Sequence, residues 1–291
     1  HYIFLEYFII QPGIFWDSIL AILERKAAQG VEVRVMYDDM GCMFTLPRDY
    51  DQVLMKKGIQ CRVFNRFLPV MSLRLNNRDH RKLMVIDGKV GFTGGLNLAD
   101  EYINIRKRFG HWKDSAILLE GDAVWSMAVM FLTLWDYCCG WDENFDRFRP
   151  PASPVRPWTG YVQPYTDTPL DREAVGQAVY LNMISKAKNY IYITTPYLVV
   201  DVATNTALCN AAKAIVEIGG ATEVYACATH GVLSGPANER IADSCIKELT
   251  FLNTIPPLEG ACSKIKYLDV SPIFADAIQR IYEENSMSVL F

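Results

Sequence analysis

No apolar run in this sequence approaches the roughly 18 to 20 residues that a membrane-spanning helix needs, so nothing in it reads as a transmembrane segment. No signal peptide is visible either. There is no basic excess: 29 Lys and Arg stand against 33 Asp and Glu, a formal net charge of -4 without a long basic run, which argues against a nucleic-acid partner. The eight cysteines never fall into C-x-x-C or Cys/His ligand spacing, so a structural zinc is not expected and the thiols read as reduced, in a cytosolic protein. Histidine is scarce, confined to His1, His80, His111 and His230. An initiator Met is lacking as well, and the opening directly in an apolar strand reads as the loss of an upstream piece. What is present, 291 residues with 51% apolar and 21% charged, is ordinary globular material for one large or two small domains.

The stretch from Asn76 to Tyr102, NNRDHRKLMVIDGKVGFTGGLNLADEY, stands out. His80, Lys82, Met84 and Ile86 alternate with Arg81, Leu83 and Val85, so period-2 geometry places the His80 and Lys82 side chains on one face of a strand. Asp87-Gly88 is a two-residue hairpin signal, and Lys89 to Thr93 supplies the return strand. Gly94-Gly95 then permits a close turn, and Asn97 follows where a helix could begin, so amide donors and a carboxamide could face an anion. Such a set suits a phosphodiester: imidazole attacks phosphorus while Lys82 and Asn97 hold the non-bridging oxygens. Taken singly, Lys82 also reads as a solvated edge-strand lysine, Asn97 as a helix cap, and Asp87 as a turn residue.

H-x-K-x4-D followed by G-G-x-N resembles the phospholipase D superfamily motif, and N-x-R-x-H-R-K with D-G-K-V-G-F-T-G-G-L-N is similar to bacterial cardiolipin synthases. The resemblance implies a mixed α/β sheet flanked by helices and ping-pong phosphatidyl transfer through a phosphohistidine. On it, His80, Lys82 and Asp87 are catalytic, and Lys82, Gly94, Gly95 and Asn97 bind phosphate. It implies a phosphatidylglycerol-like phospholipid substrate and neither metal nor organic cofactor. Members of that family usually carry membrane-spanning helices ahead of this region; without them the expectation is a cytoplasmic protein peripheral to the membrane surface.

Along the chain, Tyr2 to Ile10 reads as a buried strand, Phe15 to Gln29 as a helix, Val31 to Tyr37 as a strand, Tyr50 to Lys57 as a helix and Ile59 to Phe64 as a third strand, an alternation that implies parallel pairs. Asp38-Asp39 read either as metal ligands or as a solvated cap or loop at a strand end. Trp112, Lys113 and Asp114 precede a strand from Ser115 to Leu119. A long helix from Ala123 to Tyr137 carries Trp125, Phe131, Leu132 and Trp135, a core stripe or a membrane-facing one. Glu101 and Asp114 read as imidazole-orienting acids or as ordinary helix and loop acids. Pro150 to Pro169 reads as a linker within a 150–177 boundary region, so the catalytic half spans 1–149.

Residues 178–200, with a helix over Ala178 to Lys188 and a strand over Tyr190 to Thr195, resemble the opening of a second phospholipase D-like half. Its copy of the motif does not follow. From about Asn210, ATHGVLSGPA and the closing S-x-S-x-L-F tail with Ser286 and Ser288 resemble the C-terminal lobe of ribose-phosphate pyrophosphokinase. The 201–291 lobe should then be half of a Rossmann-like sheet: strands Glu223 to Thr229, Thr250 to Thr254 and Ile265 to Leu268, with helices from near Leu208, Pro236 and Pro272. That family's sugar-phosphate loop is replaced by VVDVATNTA, in which Asp201 is the one acid. The chain reads as a hybrid with its seam between Tyr197 and Lys213. Two functions follow: phosphatidyl transfer impaired by the absent second motif and completed by a homodimer that pairs two His80, or a silent chimera whose lobe assembles or binds sugar phosphate.

Overall fold

The computed structural model describes residues 1–67, 77–108, 111–151, 160–168, 173–188, 191, 193, 202–217, 223–228, 231, 233 and 235–283. It divides into two compact units, His1–Arg172 and Glu173–Phe291.

In the first unit, β1 (Tyr2–Tyr7) leads into α1 (Ile14–Ala28), β2 (Glu32–Asp38), the single turn α2 (Asp39–Cys42), α3 (Tyr50–Lys56) and β3 (Gln60–Phe64). The hairpin is β4 (Lys82–Ile86) and β5 (Val90–Gly94); β6 (Ala116–Glu120) and α4 (Ala123–Cys139) follow. These strands form one six-stranded sheet in the order β3-β2-β1-β4-β5-β6. β1 pairs parallel with β2 and β2 with β3, as strand-helix alternation requires, whereas β1 pairs antiparallel with β4. Strand β1 is shorter than the sequence suggests: after Tyr7 the chain leaves the sheet, and Ile10 makes only an isolated bridge to Leu98.

Alternation along β1 sends Leu5 and Tyr7 to one face and Phe4 and Glu6 to the other. On the first face they join Trp16, Val33, Val35 and Leu54 in a core under α1 and α3. Trp16 Nε1 donates to the Tyr50 hydroxyl at 2.7 Å and ties those helices together. On the second face Phe4 joins Leu83, Val85, Phe131, Leu132 and Trp135 of α4. Phe4 stacks on Phe131 at 4.6 Å and Phe131 on Trp135 at 5.6 Å, pairs worth about 0.5–1.5 kcal/mol each beyond their buried area. The aromatic stripe of α4 is therefore core rather than membrane-facing. No helix among the described residues is long and apolar enough to cross a membrane.

The β4–β5 turn forms as expected, with Asp87 at φ 52 and Gly88 at φ 62, the left-handed pair that a two-residue hairpin needs. Gly94 ends β5 because it packs against β6: a Cβ there would lie 2.5 Å from the Ser115 carbonyl oxygen. Gly94→Ala should accordingly lower stability by about 1–3 kcal/mol in chemical denaturation.

The second unit contains α5 (Val175–Lys186), α6 (Val202–Glu217), β7 (Tyr225–Ala228), α7 (Ala237–Ala242), β8 (Glu248–Leu252), β9 (Ile265–Leu268) and α8 (Ser271–Tyr282). β7, β8 and β9 form a parallel sheet in that order, the α/β lobe that the sequence implies. β8 lies two residues earlier than expected: Asn253, just past its end, donates from Nδ2 to Asp269 and accepts from the Val270 amide, both ahead of α8. α6 begins at Val202, ahead of the expected Leu208. The proposed strand at 190–195 lies largely outside the described residues, as do His230, Ser286 and Ser288.

Candidate active site

β4 begins at Lys82, and His80 stands just before it, exposed. Lys82 is buried, and its Nζ donates to the His80 carbonyl oxygen at 2.6 Å. Both side chains meet one ring. The His80 imidazole lies 4.6 Å from the centre of Phe8, and Lys82 Nζ lies 5.3 Å from it. The two residues thus share a face, as their spacing dictates.

Partial desolvation of the ring, and then the adjacent Lys82 charge, hold the His80 imidazole below its ordinary pKa, against the pull of Asp79 and Asp38. Burial lowers the Lys82 ammonium to about 8, with Asp79 and Asp114 opposing. At neutral pH the pair is a neutral imidazole beside a cation, the state a nucleophile and a phosphate clamp require. The signs fix the pH dependence. Protonating His80 should remove activity only below the ordinary histidine range, and deprotonating Lys82 should remove it near pH 8. A kcat/KM profile checks both limbs.

Asn97 is buried, with its Oδ1 accepting from the Ile9 amide at 3.1 Å and its Nδ2 donating to the Tyr102 hydroxyl at 3.0 Å. It does not start a helix; the turn that follows is a 3₁₀ segment, Asp100–Ile103, capped at Ala99. The Gly95 amide, expected to face an anion, donates to the Ser115 carbonyl oxygen at 3.2 Å, just ahead of β6. Gly95 has a packing role, since a Cβ there would collide with the Asp114 carboxylate. Asp114 itself accepts from Trp112 Nε1 at 2.9 Å and from the Ser115 amide at 2.7 Å.

Asp87 is not gathered with His80 and Lys82. It sits at the opposite end of β4, where Oδ1 accepts from the backbone nitrogens of His1 and Tyr2 at 2.5 and 2.7 Å. Asp38 is a cap but a buried one, not the solvated one expected: it accepts from the Gly41 amide at 3.0 Å, the Asp79 amide at 2.9 Å and Arg78 Nη1 at 3.3 Å. No group of three or more metal-ligating side chains occurs among the described residues. Glu101 pairs with Arg108 at 3.0 Å. His111 repeats the H-x-K spacing with Lys113, yet both are exposed in a segment without a strand.

Three charged residues that the sequence reading passed over lie on the opposite face of the same strand region. Arg81 Nε lies 2.5 Å from Glu6 Oε1 and 3.0 Å from Asp79 Oδ1. Burial, and then Asp79, raise the Glu6 carboxyl well above the usual carboxylate range, while Arg81 opposes them. Arg81 Nη1 also donates to Thr166 Oγ1 at 3.2 Å. A cavity of about 450 Å³ opens here, its lining including Arg81, Lys82, Met130, Leu134 and Thr166. The signal for Glu6 was a lone acid inside the apolar run YIFLEYFII.

Residues 3–109 match the cardiolipin synthase, phospholipase D-like domain. Residues 163–291 match the phosphoribosyl synthetase-associated domain. The chain therefore carries a phospholipase D-like domain of cardiolipin synthase type at its N-terminal end and a phosphoribosyl synthetase-associated domain behind it. It is 49% identical over 217 residues to an uncharacterized protein of Streptococcus mutans, covering 75% of this chain and 47% of that protein. It is 36% identical over 219 residues to a cardiolipin synthase of Geobacillus kaustophilus, covering 75% and 43%. The chain spans less than half the length of these relatives. Among solved structures, a phosphoribosylpyrophosphate synthetase of Mycobacterium smegmatis aligns over 28% of each chain at 31% identity and a TM-score of 0.25.

Proposed function

We propose that the phospholipase D-like domain performs phosphatidyl transfer between phospholipids, with His80 as nucleophile and Lys82 holding the phosphate. In the first step an imidazole nitrogen bonds to the phosphorus of a phosphatidylglycerol-like lipid, the bond to the glycerol headgroup breaks, and the headgroup oxygen takes a proton. In the second, the hydroxyl of another lipid's headgroup attacks that phosphorus, gives up its proton, and releases the imidazole. Water in place of that alcohol would yield phosphatidic acid. The observation that carries this reading is the pairing of an exposed imidazole with a buried lysine whose Nζ binds the His80 carbonyl oxygen, inside the segment that matches cardiolipin synthase.

The acid that protonates the leaving glycerol is assigned to His80 of a second copy, because the full H-x-K-x4-D word occurs once in this sequence. An isologous dimer at the membrane surface would bring two His80 into one site. The general acid is worth about 10²–10⁴ in rate. Mixing tests the sharing. With one wild-type chain to nine His80→Ala chains, activity per wild-type chain on phosphatidylglycerol in detergent micelles should fall roughly tenfold, since random pairing leaves few intact dimers. An unchanged value would mean that each chain works alone.

A further inference from the structure

We infer that Phe8 is a positioning residue for the proposed transfer, a platform that fixes the His80 imidazole and the Lys82 ammonium in one arrangement. The inference rests on the assignment of His80 as nucleophile, and it starts from what does not hold His80. Among the described residues no hydrogen bond reaches either imidazole nitrogen; the contact that orients the ring is Phe8, at 4.6 Å and an interplanar angle of 59°. Tilted aromatic pairs at this separation are attractive, and this one is a ring-to-ring contact rather than a hydrogen bond to a nitrogen. The nitrogens stay available for phosphorus. Lys82 Nζ, removed from water, has the His80 carbonyl oxygen and the face of the same ring as neighbours. The ring's quadrupole favours the charged ammonium and partly offsets its burial.

Phe8 is itself held from several sides. Its carbonyl oxygen accepts from Cys42 Sγ at 3.5 Å, and the next residue is anchored by the bond from its amide to Asn97 Oδ1. Gly41 packs so closely on the Phe8 backbone that no side chain fits at that position. Asn97, expected to clamp phosphate, in this arrangement secures the segment that carries the platform.

The test compares Phe8→Leu, Phe8→Tyr and wild type by NMR of the imidazole protons and by kinetics. With four histidines in the chain, His80 is assignable from His80→Ala. In wild type the His80 ring protons should be displaced by the Phe8 ring current; Phe8→Leu should abolish the displacement and Phe8→Tyr retain it. Phe8→Leu should lower kcat about 10- to 100-fold with KM within a factor of two. Its basic pH limb should move below that of wild type, because the ammonium has lost the ring. Phe8→Tyr should restore kcat. An undisplaced His80 in wild type, a kcat unchanged in Phe8→Leu, or a tyrosine variant as impaired as the leucine one would overturn the inference. The NMR result stands even where no turnover is detected, so a failed platform and a failed enzyme are told apart.

Discussion

His80→Ala should abolish phosphatidylglycerol turnover, lowering the rate by about 10³-fold or more while leaving the melting temperature in place. The rate loss follows from chemistry: without the imidazole there is no covalent intermediate, and water or alcohol would have to attack phosphorus directly. The unchanged stability follows from position. His80 is exposed, its carbonyl oxygen rather than its ring binds Lys82, and an exposed side chain of this kind typically changes stability by no more than about 0.5 kcal/mol. Cardiolipin, phosphatidic acid and free glycerol should therefore all disappear together. Equal product from wild type and mutant would mean that His80 is a surface histidine.

The largest stability effect is expected far from the chemistry, at Arg34. This guanidinium is 1% exposed, donates to both carboxylate oxygens of Glu143 at 2.8 and 3.0 Å, and contacts Glu32 at 2.6 Å. It also lies 5.0 to 5.5 Å from the rings of Phe4, Trp135 and Phe148. Hydrogen bonds and charge from the two glutamates outweigh desolvation and keep its pKa above the ordinary value, so it is a cation at every working pH. Arg34→Ala removes the cation, strands Glu143 and opens a cavity among three aromatic rings. The cost should be about 3–5 kcal/mol, and Glu143→Gln in the same chain should recover part of it. All six tryptophans lie within the first unit, so their fluorescence during urea unfolding reports that unit alone. A loss under about 1 kcal/mol would show the pair to be effectively solvated.

These two residues also show what was legible in the sequence. His80, Lys82 and the Asp87-Gly88 turn were readable because their information is local: period-2 alternation fixes a face, and a two-residue turn with positive φ fixes a hairpin. Arg34 reads as an ordinary polar position in a strand, because its partner Glu143 is 109 residues away and becomes a neighbour only once α4 covers β2. Phe8 is similarly hidden, an apolar residue in an apolar run whose function comes from strand pairing that sets Tyr7 opposite Lys82. Gly94-Gly95 announced a close approach but not the chain segment it meets, which is Ser115 and Ala116 for Gly94 and Asp114 for Gly95. The ends of β1 and β8 were misplaced where isolated bonds, Ile10 to Leu98 and Asn253 to Asp269, take over from the ladder.

The central claim is a covalent bond between His80 and phosphorus, and the most direct measurement is rapid quenching of the protein during phosphatidylglycerol turnover, followed by mass spectrometry of its peptides. A phosphatidyl adduct confined to the peptide carrying His80, formed and consumed during turnover, is the result this account predicts. Turnover without an adduct, or an adduct on another residue, would contradict it.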